Sequence, residues 1–300
     1  MSKENKTPFQ IFMTGFGIYI KYFSTFFKYM SFPVLGQFFG IILCFALSLG
    51  YAYKTPQASF STIILLTLPG LIILTKAFWE YLIAYVSISS MTENTIKSGR
   101  IYDISAHKKV ATSRSSEFVF LWLLFGLFTL IAIFPPMWVF AFVIFIYILL
   151  IFQVFTFETK LSPFECFVRS KNLIVGNFWN TLFMLAFVGI FTYILLPKII
   201  EILFNAFQII PIFGMYLESV IKNILPFEQW NATAESLGMA YEFSPLDISK
   251  MIVSSVVSFF VIGYTLPLRT ICCTLWYKQL SIKEIKEKSK NKKVKSKENV

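Results

Sequence analysis

Two ionisable residues, Lys76 and Glu80, stand four apart in a run that is otherwise apolar. On a helix that spacing puts both on one face, within reach of an ion pair. A charged pair inside a membrane span reads first as part of a solute pathway or a proton relay. A helix starting at Pro56 offers a second reading. Lys76 then lies about 30 Å along it, which is the hydrocarbon thickness of a bilayer. Its stem would simply snorkel to the headgroups, and this reading is preferred.

Little else in the chain has the spacing of a reactive site. The single histidine, His107, sits in a basic loop and is expected to be solvated. HExxH, GxSxG, P-loop and GxGxxG patterns are absent from the sequence. Glu228, Glu235, Glu242 and Asp247 recur at sevens and fives, as on one solvated face. Cys44, Cys166, Cys272 and Cys273 show neither zinc nor CxxC spacing, so neither a metal site nor a disulfide is expected. Asn231-Ala232-Thr233 matches a glycosylation sequon, which matters only in a secretory pathway. The expectation is a chain that is not an enzyme, with no catalytic residue, cofactor or metal.

The elements that would position these residues are membrane spans. Apolar residues make up 56% of the chain, with 36 Phe, far above the balance of a soluble domain. Lipid admits only helices or a closed barrel, and these runs are apolar on every side rather than alternating. The fold class expected is all-α: a polytopic bundle of six transmembrane helices with amphipathic interfacial helices. The spans are placed at 33–53, 56–80, 118–135, 137–157, 177–197 and 248–270, forming with the segments between them an integral membrane domain over 1–277. A Lys-rich tail follows at 278–300, expected to be disordered or weakly helical.

Charge orients the spans. Of 27 Lys and Arg, 22 lie in residues 1–31, 89–117, 158–176 and 269–300, on one set of alternating loops. The positive-inside rule puts that set in the cytosol, with both termini. The outer segment 198–247 is instead acidic, with six acids against two lysines. Its first part should be a surface helix ended by Pro211.

Helix signals support the layout. Thr7-Pro8-Phe9-Gln10 and Ser162-Pro163-Phe164-Glu165 both read as capping boxes with proline at the first helical position. Each opens an amphipathic segment, at 7–31 and 162–176, suited to the headgroup layer. The pair is either a duplicated unit or the ordinary way a chain approaches a membrane. Phe32-Pro33 should turn the chain into the bilayer, and Pro267 should kink the last span. Gly36 and Gly40 form a GxxxG, and Ser254 and Ser258 a small-xxx-small face, both permitting close helix packing, within the chain or between copies. Gln37, Gln153 and Asn180 are isolated amides fit for interhelical hydrogen bonds.

Two stretches resemble a known family. Arg169-Ser170 followed by Gly176, Phe178 and Trp179 is similar to a segment of a broad bacterial inner-membrane family. That family includes the membrane domain fused to some glycerophosphodiester phosphodiesterases. Pro267 followed by Trp276 and Tyr277 resembles its closing signature, with Lys278 and Leu280 where Asp and Arg are usual. The resemblance implies a six-span bundle of unassigned molecular function in the bacterial cytoplasmic (inner) membrane, without phosphodiesterase activity. The functional expectation is therefore a non-enzymatic envelope module. Its partners would be the lipid bilayer, anionic lipid headgroups and other membrane proteins, not nucleic acid. The alternative is a transporter or permease for a small or lipid-like solute, with Lys76, Glu80 and the amides lining its route.

Overall fold

The computed structural model describes residues 6–55, 57, 59–101, 103–238 and 243–298. Among these residues the fold is all-α, with no strand. Six helical segments are long and apolar enough to cross a membrane: Phe23–Ala52, Phe60–Ser98, Ser115–Ile133, Pro135–Phe157, Phe178–Ala206 and Pro245–Lys286. This is the pattern of a multi-pass membrane protein. The contacts divide the chain into two units, residues 1–188 with 266–300, and residues 189–265.

The first unit opens with α1 (Pro8–Lys21), whose capping box forms as expected. The Thr7 hydroxyl accepts from the Gln10 amide, and the Gln10 side chain accepts from the Thr7 amide at 2.9 Å. Its buried face, Ile11, Gly15 and Tyr19, repeats every fourth residue. The expected single segment over 7–31 is broken at Tyr22, and α2 (Phe23–Lys54) then runs straight through Pro33. The expected turn at Phe32-Pro33 does not form. One lost backbone bond at a proline costs less than an open turn would in lipid, where every unpaired backbone group is penalised.

Span two, α3 (Phe60–Ser98), begins at Phe60 and not at 56; Pro56 itself lies outside the described residues. At about 58 Å it outruns a bilayer core, so one end must project beyond it. Phe45, Leu65 and Ile72 leave more than half of their surface open, as suits lipid-facing positions. After α4 (Ile104–Thr112), α5 (Ser115–Leu130) is joined to α6 (Trp138–Ile148) by two 3₁₀ turns around Pro135-Pro136, the expected tight hairpin. The next span breaks between Ile148 and α7 (Ile151–Phe157), which its uniform apolarity concealed. The unit continues with α8 (Pro163–Ile174) and the start of α9 (Phe178–Gly189), and ends in α14 (Leu266–Glu298). There the Lys-rich tail continues as helix to Glu298, since Lys and Glu are good helix formers.

The second unit starts with a widened π turn, Ile190–Leu195, that leads into α10 (Leu196–Ala206). Pro197 accounts for the widening, because its ring would strike the carbonyl four residues back. The helix ends at Ala206, where Gln208 takes a left-handed φ of 59°. Pro211 was expected to end it, yet lies in the first turn of the next helix, where its missing N–H costs nothing. The segment that the charge pattern assigns to the outside is then α11 (Ile209–Ile224) and α12 (Phe227–Ser236), bent by 79° and together apolar enough to pass as one broken span. Asn231 holds the chain at Phe243. Its amide oxygen takes the Phe243 N–H at 2.7 Å and its nitrogen donates to the Phe243 carbonyl. The unit closes with α13 (Pro245–Tyr264), which packs on both α10 and α11. Glu242 lies outside the described residues.

Candidate functional site

The densest polar assembly lies in the first unit, where α7, α8 and α14 meet. Glu158 follows the last residue of α7, and a short turn brings the chain to Ser162. There the second capping box forms: the Ser162 hydroxyl accepts from the Glu165 amide, and the Glu165 carboxylate accepts from Ser162. Those bonds from Ser162 hold the Glu165 carboxyl below its usual range. Starting α8 at this point aims Arg169 back across the turn at Glu158.

Arg169 joins three elements. Its Nε lies 2.9 Å and 3.0 Å from the two Glu158 oxygens, and its Nη1 lies 2.8 Å from Glu284 on α14. Burial alone would lower the guanidinium pKa, but the two carboxylates hold it above its ordinary value. Glu158 also accepts from the Tyr277 hydroxyl at 2.9 Å, and the Tyr277 ring stacks on Phe157. Arg114 closes the turn from another side, donating to the Phe155 and Leu161 carbonyls while pairing with Glu117. A cation on the last carbonyls of α7 also suits the helix dipole.

The adjacent Ser170 is fully buried and repairs the break between α6 and α7. Its hydroxyl donates to the Tyr147 carbonyl at 2.7 Å and accepts from the Leu150 N–H at 3.2 Å. Both backbone groups lose their helical partners at that break. A Ser170→Ala variant should therefore lose about 2 kcal/mol, the cost of leaving buried backbone groups unsatisfied. Unfolding of the purified protein in mixed micelles measures it, and a wild-type midpoint would refute this role.

Most of the remaining motif residues lie on the segments that meet here. Gly176 turns α8 into α9 with a φ of 80°, a backbone that favours glycine. Phe178 packs on Tyr147, and Trp179 is exposed beside it. Trp276 is buried and satisfies its indole N–H on the Thr181 hydroxyl at 3.0 Å. Pro267 stands in the first turn of α14. Lys278 pairs with Glu93 at 2.6 Å, Lys283 with the Asn177 side chain at 2.8 Å, and Gln279 with the Lys6 backbone in both directions. The helix α14 thus ties down the entries to α1, α8 and α9 and the far end of α3.

Lys76 and Glu80 do form an ion pair, at 3.6 Å, but it is the weaker of two. Glu80 is 15% exposed and binds Lys108 of α4 at 2.6 Å, whereas Lys76 is 62% exposed. The start of α3 at Phe60 also shortens the distance along the helix to Lys76, to about 24 Å. His107 is buried against α3, with its Nδ1 2.8 Å from the Ser90 hydroxyl, correcting the expected solvated position. It lies four residues before buried Ala111, on the face that α4 turns to the bundle.

Gly36 and Gly40 face α3. A Cβ at Gly36 would stand 2.7 Å from the Ala77 methyl, and one at Gly40 would stand 2.8 Å from the Leu74 backbone. Gly70, unremarked in the sequence, makes the tightest approach, against Cys44 and the Gly40 carbonyl. Gln37 bonds within its own helix to the Pro33 carbonyl, Gln153 reaches the Ser89 hydroxyl at 3.4 Å, and Asn180 is exposed. Ser254 and Ser258 line a groove in the second unit. Cys44, Cys166, Cys272 and Cys273 are free, and burial pushes the Cys166 thiol up to about 12. Among the described residues no group of three His, Cys, Asp or Glu is placed to hold a metal.

Glu158, Glu284, Glu93 and Arg114 were missed by sequence reasoning. Glu158 and Arg169 are eleven apart across a turn, so no helical period links them. The available signal was compositional, a few acids set among the basic loops. No family model, curated protein or solved structure matches the chain.

Proposed function

We propose that this chain is a non-enzymatic, multi-pass module of a bacterial cytoplasmic membrane, with both termini in the cytosol. The observation that carries the reading is the saturation of its polar assembly. Glu80, Glu93, Glu117, Glu158 and Glu284 are each held by a Lys or Arg. A carboxylate so engaged is a strut rather than a general base. Cations left in excess, among them Lys21, Lys28, Lys109, Lys160 and Lys171, are exposed on the same set of basic segments. Each basic residue close to an anionic leaflet contributes about 1 kcal/mol of attraction. The resemblance to the membrane domain fused to glycerophosphodiester phosphodiesterases fits this reading, because Arg169, Ser170, Trp276 and Tyr277, which help carry it, all make structural bonds within the first unit. Anionic lipid and other membrane proteins are the partners proposed, and neither cofactor nor nucleic acid is invoked.

The test places single cysteines at positions 76 and 80 in a background lacking the four natural ones. Membrane-impermeant thiol reagents are then applied from each side. Labelling from the cytosolic side alone, at the rate of a headgroup-level control, is the expected result. Labelling from the outside, or protection by an added solute, would overturn it in favour of a permease.

A further inference from the structure

The second unit holds an open groove of about 600 Å³ between α10, α11 and α13, within the size range of small-ligand sites. One wall is polar although it belongs to segments apolar enough to cross a membrane. Glu201 and Asn205 of α10 face it, with Lys250, Ser254 and Ser258 of α13. An ionisable residue such as Lys250 within such a segment is by default a candidate for a functional site.

The order of these groups along α13 is informative. Lys250, Ser254 and Ser258 follow at one-turn intervals, a cation and two hydroxyls within about 12 Å. Phe259 and Ile262 carry the groove onward as an apolar surface. The lysine is held in place by its stem, which crosses α11 at Gly214. A Cβ there would come 2.9 Å from the Lys250 Cγ. Glu201 is already engaged by Lys198 at 3.0 Å, and among the described residues no carboxylate pairs with Lys250. The groove therefore offers an unneutralised cation, then hydroxyls, then an apolar floor. That sequence matches a phospholipid: phosphate, glycerol esters, acyl chain. Free phosphate would leave the hydroxyl and apolar parts unused.

We propose that this groove binds one phospholipid, with Lys250 on its phosphodiester, Ser254 and Ser258 near its glycerol esters, and an acyl chain along Phe259 and Ile262. Its lining residues all belong to the second unit.

The test is native mass spectrometry of the full chain in detergent, titrated with dioctanoyl phosphatidylglycerol. One saturable adduct is expected, about tenfold weaker in Lys250→Gln, since a charge-assisted contact is lost. Gly214→Ala keeps the charge but displaces the lysine stem, and should weaken the adduct as well. Lys222→Gln, which removes an exposed cation of α11, should leave it unchanged. Wild-type affinity in Lys250→Gln, or equal weakening in Lys222→Gln, would overturn the site. Equal binding of dioctanoylglycerol would make the groove merely apolar, and competition by inorganic phosphate would make it a free-anion site; either result overturns the lipid assignment. Should Lys250→Gln fail to fold, Lys250→Arg with Gly214→Ala decides the question: the first should retain the adduct and the second weaken it.

Discussion

A single methyl group at position 70 is expected to cost about 3 kcal/mol, the upper part of the usual overpacking range. In Gly70→Ala the new Cβ would stand 2.7 Å from the Gly40 carbonyl and closer still to the Cys44 amide. Both are backbone atoms of α2, so no side-chain rotation relieves the clash. The α2 and α3 axes must separate, and the contacts at Gly36 and Gly40 loosen with them. Gly17→Ala is the control. Nothing lies within 4 Å of its built Cβ, so alanine should be neutral or stabilising through helix propensity. Thermal melts of the two variants in the same detergent compare them directly. A Gly70→Ala melt equal to wild type would mean that α2 and α3 do not approach there.

Loss of the guanidinium at position 169 is the second large effect. Arg169→Ala leaves Glu158 and Glu284 without their shared cation. Breaking a buried pair costs about 3 to 5 kcal/mol. Arg169 is 24% exposed, and solvent screening brings the expectation down to about 2 kcal/mol. Arg169→Lys should recover only part of this, because an ammonium cannot match the fork that spans two carboxylates. Combining Arg169→Ala with Glu284→Gln should lose less than the sum of the two single changes, since one of the two uncompensated charges is gone. Equilibrium unfolding of all four proteins tests the cycle. Strict additivity, or a wild-type midpoint for Arg169→Ala, would refute the bridge.

These effects differ in how far the sequence foretold them. The GxxxG of Gly36 and Gly40 was legible because small residues four apart share a helix face. The partner on α3 was not, because Gly70 has no such companion and its role depends on a helix reached only after a turn. Arg169 and Ser170 stood out by resemblance alone. Their roles follow from a turn that reverses the chain onto Glu158 and from a break in α6–α7 that uniform apolarity hides. His107 was misplaced for a related reason: a loop basic on average can still bury one face of a short helix.

By itself the sequence determined the all-α class, the six apolar spans, the two capping boxes and the charge asymmetry of the loops. These are local properties, settled by hydropathy, helix period and neighbouring side chains. The tertiary structure decided which carboxylate meets which cation, where the spans break, and that polar residues of α10 and α13 line one groove. Those outcomes depend on distances between segments far apart in the chain, which linear spacing does not encode.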